Sequence, residues 1–122
     1  MKLIAAHTPL PTPALLLDNT ADVLALGDSI HGHAAVVLQF PKWTDGRAYS
    51  QAVLLRGRLR YTGEIVATGQ VLVDMLVLLR RCGFDTAQLR EDQKFEAADR
   101  SLGFFDNHYQ TVPPERHTGA AA

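Results

Sequence analysis

"AAVVLQFPKWTDGRAYSQAVLL", residues 34–55, changes its period partway along. Residues 34–40 are apolar at all but one position and rich in valine, and Pro41 stops them, the pattern of a strand covered on both faces of a parallel sheet. From Ala48 onward, Ala48, Ala52, Leu55 and Leu59 recur at three and four residues while Arg56, Arg58 and Arg60 lie elsewhere around the turn. A buried strand that yields to a helix over one short loop is the first half of a βαβ crossover.

The same alternation continues on both sides. Gly63 breaks the helix, "EIVAT" (64–68) reads as the next strand, Gly69 turns, and 71–81 reads as a helix with Gly83 as its left-handed stop. "TAQLR" (86–90) is a further strand, followed by a helical stripe of Phe95, Ala98, Leu102, Phe105 and Tyr109. Upstream, "ALLL" (14–17) is a short apolar run, and 21–26 makes a brief helical turn ended by Gly27. The expectation is an α/β fold of about four βα units on a parallel sheet, half-barrel-like, since a closed barrel needs about eight. Residues 1–13, with Pro9, Pro11 and Pro13, are expected as an extended arm, 14–110 as the single domain and 111–122 as a flexible tail. The helix "VLVDMLVLLRR" (71–81) has almost no polar face, so a homodimer is expected to cover it.

A chain of 122 residues with 47% hydrophobic and 20% charged residues has the balance of one globular domain. Its formal net charge of -1 gives no broad field for nucleic acid or anionic lipid. The longest apolar run is interrupted by Asp74 and too short to span a bilayer, and the first residues lack the apolar segment of a signal peptide, so a cytoplasmic protein is expected. One cysteine excludes an intrachain disulfide, a CxxC pair or an iron-sulfur cluster held by one chain, and neither GxGxxG nor GxxxxGK[ST] occurs. No resident cofactor is expected, and a redox role requires a partner.

In a parallel sheet the strand-to-helix loops emerge together at the strand C-termini, which is where such folds bind ligands. That places Lys42, Thr44, Asp45, Gly46, Arg47 and Tyr49 at one mouth with Gly69, Gln70 and Asp74 and with Arg90 and Asp92. Two readings apply to the 42–47 loop. Thr44 or Asp45 caps the next helix and Gly46 permits a close backbone approach; or Lys42 and Arg47, beside a helix N-terminus, receive an anion. Asp92 likewise reads as a cap for the last helix, with Arg90 a solvated strand end. His31 and His33 form an HxH pair, but on the opposite end from the mouth and without further ligands at metal spacing, so no metal is expected. Cys82, beside Gly83, reads as a packed side chain.

"FPKWTDGRAYSQA" (40–52), "LRGRLRYTGEIVATGQVL" (55–72) and "RRCGFDTAQLREDQ" (80–93) together resemble the bacterial domain of unknown function 934. The resemblance runs from about Leu15 to Gln110. It covers Pro41, Lys42, Thr44, Asp45, Gly46, Arg47, Tyr49, Ser50, Gln51, Gly63, Gly69, Asp74, Arg81, Cys82, Gly83, Phe84 and Asp85. The chain departs from the family pattern at Gln70, where Asp is typical, at Met75, where Gln is typical, and at Trp43, where Phe is common. The resemblance implies a link to assimilatory sulfite reduction, for which members are described as probable oxidoreductases. With no means of holding siroheme or iron-sulfur centres, the expected role is an accessory protein that binds an oxyanion or sulfite reductase at the mouth. The alternatives are a small enzyme using Lys42, Asp45 and Arg47 on a sulfur oxyanion or another anionic metabolite, and a purely structural subunit.

Overall fold

The computed structural model describes residues 1–103 and the strand at 110–112. Its elements in chain order are β1 (Lys2–Ile4), β2 (Leu15–Leu17), a 3-10 segment (Val23–Gly32) kinked at Gly27, β3 (Ala35–Phe40) and α1 (Arg47–Gly57). There follow β4 (Glu64–Gly69), a 3-10 turn (Val73–Met75), α2 (Leu76–Cys82), β5 (Thr86–Gln88), α3 (Phe95–Gly103) and β6 (Gln110–Val112). The six strands form one parallel sheet in the order β2-β3-β4-β5-β1-β6.

From β2 to β5 each strand lies beside the one before it, so every crossover steps the same way. Right-handed crossovers that all step one way put their helices on one face. Accordingly the 3-10 segment touches α1, α1 touches α2, and α2 touches α3. Beneath this layer Val36, Leu38, Phe40, Ile65, Ala67, Ala87 and Leu89 meet Ala48, Ala52, Leu55, Leu76 and Leu79 in one core. The expected α/β architecture with four βα units is therefore the observed one.

The first residues correct the expectation of an arm outside the core. β1 lies between β5 and β6, and Leu3 and Ile4 are buried. A three-residue strand carries no readable period, and it is stable here because its position between two strands satisfies its amides and carbonyls on both sides. Since β1 and β2 are parallel but separated by β5, β4 and β3, residues 5–14 must cross back over the sheet. Four strand spacings are about 19 Å, within the roughly 33 Å that ten extended residues reach. The helices occupy one face, and the connection takes the other, where the Gln88 side-chain amide donates to the Thr8 carbonyl at 2.8 Å. On that face the pleat places Val37 and Val66, both fully buried, with a Thr68–Gln88 hydrogen bond and a short Thr86–Glu64 one beside them. The prolines thus stiffen a strap rather than a loose arm.

Thr111 and Val112, expected at the start of the tail, pair with β1 in β6. Phe105 and Tyr109 of the last helical stripe, and the remainder of the tail at 113–122, lie outside the described residues.

The apolar segment at 71–81 is shorter as a helix than its composition suggests, and much of it is covered by its own chain. Val71, Met75, Leu76 and Leu79 are buried, and only Leu78, 46% exposed, presents a large apolar surface. The covering argument for a dimer therefore narrows to Leu78 and to the outer edge of β2, where Leu16 is 60% exposed.

Candidate functional site

The loop after β3 is held from three sides. Its chain turns with the Asp45 amide donating to the Lys42 carbonyl at 3.0 Å. The Asp45 carboxylate then accepts from the Arg47 amide at 3.1 Å and from the Asn19 side-chain amide at 2.6 Å. Gly46 is the N-cap residue of α1 and has no side chain to offer, so Asp45, one residue earlier, meets the first helical amide in its place, while Thr44 is exposed. The Arg47 amide, followed by Asn19, holds the Asp45 carboxyl below its ordinary range. Arg47 returns its guanidinium to 3.7 Å from the same carboxylate and is otherwise exposed. A methyl group at Gly46 would meet only Tyr49, at 3.8 Å, so the close approach expected of that glycine is not needed. Tyr49 packs edge-on against Phe40 with ring centroids 5.0 Å apart, and burial raises its phenol pKa. Lys42, Trp43 and Arg47 remain the outward-facing side chains, with Trp43 56% exposed.

Asn19 was absent from the sequence-derived candidates, although "LLLDNTAD" obeys the same rule as the other loops and places it behind a strand. Asp45→Ala is expected to remove both the bond to the Arg47 amide at the start of α1 and the tie to the β2 loop. A melting temperature lower by a few degrees checks this, and an unchanged melting curve contradicts it.

The loops after β4 and β5 form a second knot. Arg90 grips Asp92 with two parallel hydrogen bonds of 2.7 Å and donates a third to the Gln70 side chain at 3.0 Å. Gln70 sits where the resembling family usually has Asp; here its amide oxygen receives the arginine without adding a charge. Asp92 is therefore a partner of Arg90 rather than the cap expected for α3, and Arg90 is committed to the protein rather than open to a ligand. Gln93, another residue missed in the sequence, accepts from the Val73 amide at 2.8 Å. Asp74 is exposed at the first turn of its segment.

The Arg90 fork lowers the Asp92 carboxyl from its ordinary 3.8 to about 2. Because the folded value is depressed, the pair contributes fully above 3.8 and is lost as pH falls through about 2. In an NMR titration Asp92 is expected to remain ionised at pH 3, and a midpoint at its ordinary value would contradict the fork.

The two knots meet where the Gln70 amide donates to the Phe40 carbonyl at 2.8 Å. Gly69, at φ +97°, makes that approach possible. The structure thus brings Lys42, Asp45, Arg47, Gln70, Arg90 and Asp92 to one end of the sheet as expected, but in two internally paired groups.

The second half of the motif set lies at the other end. Arg56 donates to the Gly83 carbonyl twice (3.0 and 2.9 Å), to those of Tyr61 and Gly63 (both 2.8 Å), and to the Asp85 carboxylate at 2.6 Å. That uses all five of its N–H groups. Asp85 also accepts from the Ile65 amide at 3.0 Å. The helical period placed Arg56 only off the apolar stripe; no sequence signal announces donors to carbonyls of three later residues. A cavity of about 460 Å³ lies beside it, lined by Met1, Arg56, Thr62, Arg80, Gly83, Phe84 and Asp85. Cys82 is half-buried nearby, and burial raises its thiol pKa, which disfavours the nucleophilic thiolate. His33 offers its backbone carbonyl to the Tyr61 hydroxyl at 2.8 Å. Among the described residues no three His, Cys, Asp or Glu side chains are grouped to hold a metal, and no helix is long and apolar enough to cross a membrane.

Residues 14–118 match the family described as "Bacterial protein of unknown function (DUF934)". Neither a curated protein nor a solved structure matches the chain.

Proposed function

The chain belongs to the DUF934 family, and from that premise we propose that it is a cytoplasmic accessory protein of assimilatory sulfite reduction that docks on sulfite reductase through its 41–47 loop. The link to sulfite reduction rests on the motif resemblance. The docking mode rests on one observation: Trp43 stands 56% exposed at the tip of a loop whose backbone is pinned by Asp45 and Asn19, with Lys42 and Arg47 at its sides. A large aromatic ring presented on a fixed loop gives contact area at little ordering cost, and flanking cations select a partner surface that carries carboxylates.

A small oxyanion fits this place less well. Asp45 already fills the first helix amide with its own carboxylate, so an incoming anion would meet a fixed like charge. Acid catalysis by Asp45 is disfavoured for the same reason, since both carboxylate oxygens accept hydrogen bonds and the group stays ionised near neutrality. Calorimetric titration of sulfite reductase holoenzyme is expected to show Trp43→Ala weakening binding by roughly tenfold or more. Lys42→Ala and Arg47→Ala are expected to weaken it by roughly threefold each, more so at low salt. Equal affinities across wild type and variants would remove the loop from the interface; a tight sulfite or sulfate isotherm would favour the oxyanion reading instead.

The same reading includes a homodimer, supported by Leu16 on the open edge of β2 and by Leu78 on α2. Light scattering at micromolar concentration is expected to give twice 13.4 kDa, and a mass near 13.4 kDa would exclude it.

A further inference from the structure

Five of the chain's nine arginines come from two short stretches, 56–60 and 80–81. The fold brings them to one end of the molecule, because α1 and α2 both run antiparallel to the strands and end at the strand N-termini. Arg56, bonded to the Gly83 carbonyl, ties the two helix ends together. Arg58, Arg60 and Arg81 are exposed around this tie, and Arg80 lines the adjoining cavity. Of the carboxylates at this end, Asp85 is paired with Arg56 and also accepts from the Ile65 amide, while Glu64 accepts from the Thr86 hydroxyl and keeps its charge. In a chain whose formal net charge is -1, three exposed arginines therefore stand at the end opposite the mouth.

Arginines in the last turn of a helix complement its dipole and require no further explanation. That account covers Arg80 and Arg81 but stops short of Arg60, which lies beyond the end of α1 at φ +58°. α1 itself closes at Arg58, in right-handed geometry, and two residues later the Tyr61 amide donates back to the Leu55 carbonyl at 2.8 Å across the turn that holds Arg60. An arginine is held there against its backbone preference, and its side chain is exposed. A backbone outlier at an exposed charged residue is a reason to test what its side chain does.

We propose that the arginine face formed by Arg58, Arg60 and Arg81 at the strand N-terminal end is a second docking surface, for a partner protein that presents clustered carboxylates. Each guanidinium offers a planar fork to a carboxylate. The cavity itself does not favour a small polyanion, since Asp85 stands in its lining and every N–H group of Arg56 is spent on the protein. Arg58, Arg60 and Arg81 are instead exposed outside its lining, at two helix ends, where an extended acidic surface reaches several at once. With the mouth engaged elsewhere, the chain would join two proteins through opposite ends of one sheet.

The test uses the full chain and a short polyglutamate peptide as probe, titrated at low and at moderate ionic strength, with duplex DNA and inorganic pyrophosphate in parallel. Wild type is expected to bind polyglutamate more tightly than either alternative, and salt is expected to weaken the binding. The combined variant Arg58→Ser, Arg60→Gly, Arg81→Ser is expected to lose roughly tenfold in affinity. Arg60→Gly alone is expected to weaken binding while raising the melting temperature, because glycine adopts the left-handed backbone freely; a merely structural arginine would not separate the two readouts. The Lys42→Ala, Arg47→Ala variant, which removes the cations of the mouth, is expected to keep most of the probe affinity, which separates this surface from the mouth. The proposal is overturned if wild type does not bind polyglutamate at low salt, or if the combined variant binds equally well. Tighter binding of DNA or pyrophosphate would also overturn it, by assigning the face to a nucleic acid or a small anion.

Discussion

Arg56→Met is expected to cost about 3 to 5 kcal/mol of stability, enough to leave a domain of this size close to unfolded at physiological temperature. The substitution keeps much of the apolar stem but removes five hydrogen bonds at once. It leaves the carbonyls of Tyr61, Gly63 and Gly83 without their donor and the Asp85 carboxylate without its cation. The side chain is 25% exposed, so water recovers part of the loss, which sets the estimate below the sum of five separate bonds. Arg56→Lys is the more discriminating variant. A lysine retains the charge but cannot reach carbonyls in three directions from one plane, so it is expected to recover less than half of the loss. Urea unfolding measures both, and a wild-type midpoint for the lysine variant would show that charge alone, not the fork, holds this end together.

Gly69→Ala is expected to cost about 2 to 4 kcal/mol, combining backbone strain with a steric conflict. At φ +97° an alanine is strained whatever the space around it, and the added carbon would lie 2.5 Å from the Phe40 carbonyl oxygen and 3.1 Å from its carbon. Both obstacles are backbone, so no side-chain rotation relieves them. Relief requires β4 to move away from β3, which lengthens the bond between the Gln70 amide and the Phe40 carbonyl and loosens the Gln70 contact to Arg90. A lower unfolding midpoint together with a shifted Asp92 titration is the expected pair of results; a midpoint equal to wild type would show that the close approach is unimportant.

The sequence made the middle of this fold legible because residues 34–69 change period cleanly from a buried strand to a helix and back. The parallel-sheet rule then placed the 42–47, 69–74 and 90–92 loops at one end without any side-chain information. The same reasoning missed β1 and β6, since three residues carry no period and their burial depends on neighbours distant in sequence. It read Arg90 and Asp92 separately, because a fork between residues two apart in a loop follows no helical or strand spacing. Arg56 was the largest omission. Its helical phase placed it off the apolar stripe and gave it no role, whereas its partners at 61, 63, 83 and 85 are supplied only when α1 and α2 end side by side. Gly63 and Gly83 become intelligible in the same way: a Cβ at either would meet Tyr61 or Arg56.

The central claim is that the 41–47 loop docks on sulfite reductase, and affinity capture from sulfate-grown cells tests it most directly. Wild-type chain and a Lys42→Ala, Trp43→Ala, Arg47→Ala variant, each confirmed folded by its melting curve, are immobilised side by side and exposed to the same extract. The expected result is recovery of sulfite reductase on wild type and its loss on the variant. Sulfite reductase absent from the wild-type capture, or retained equally by both, would contradict the account.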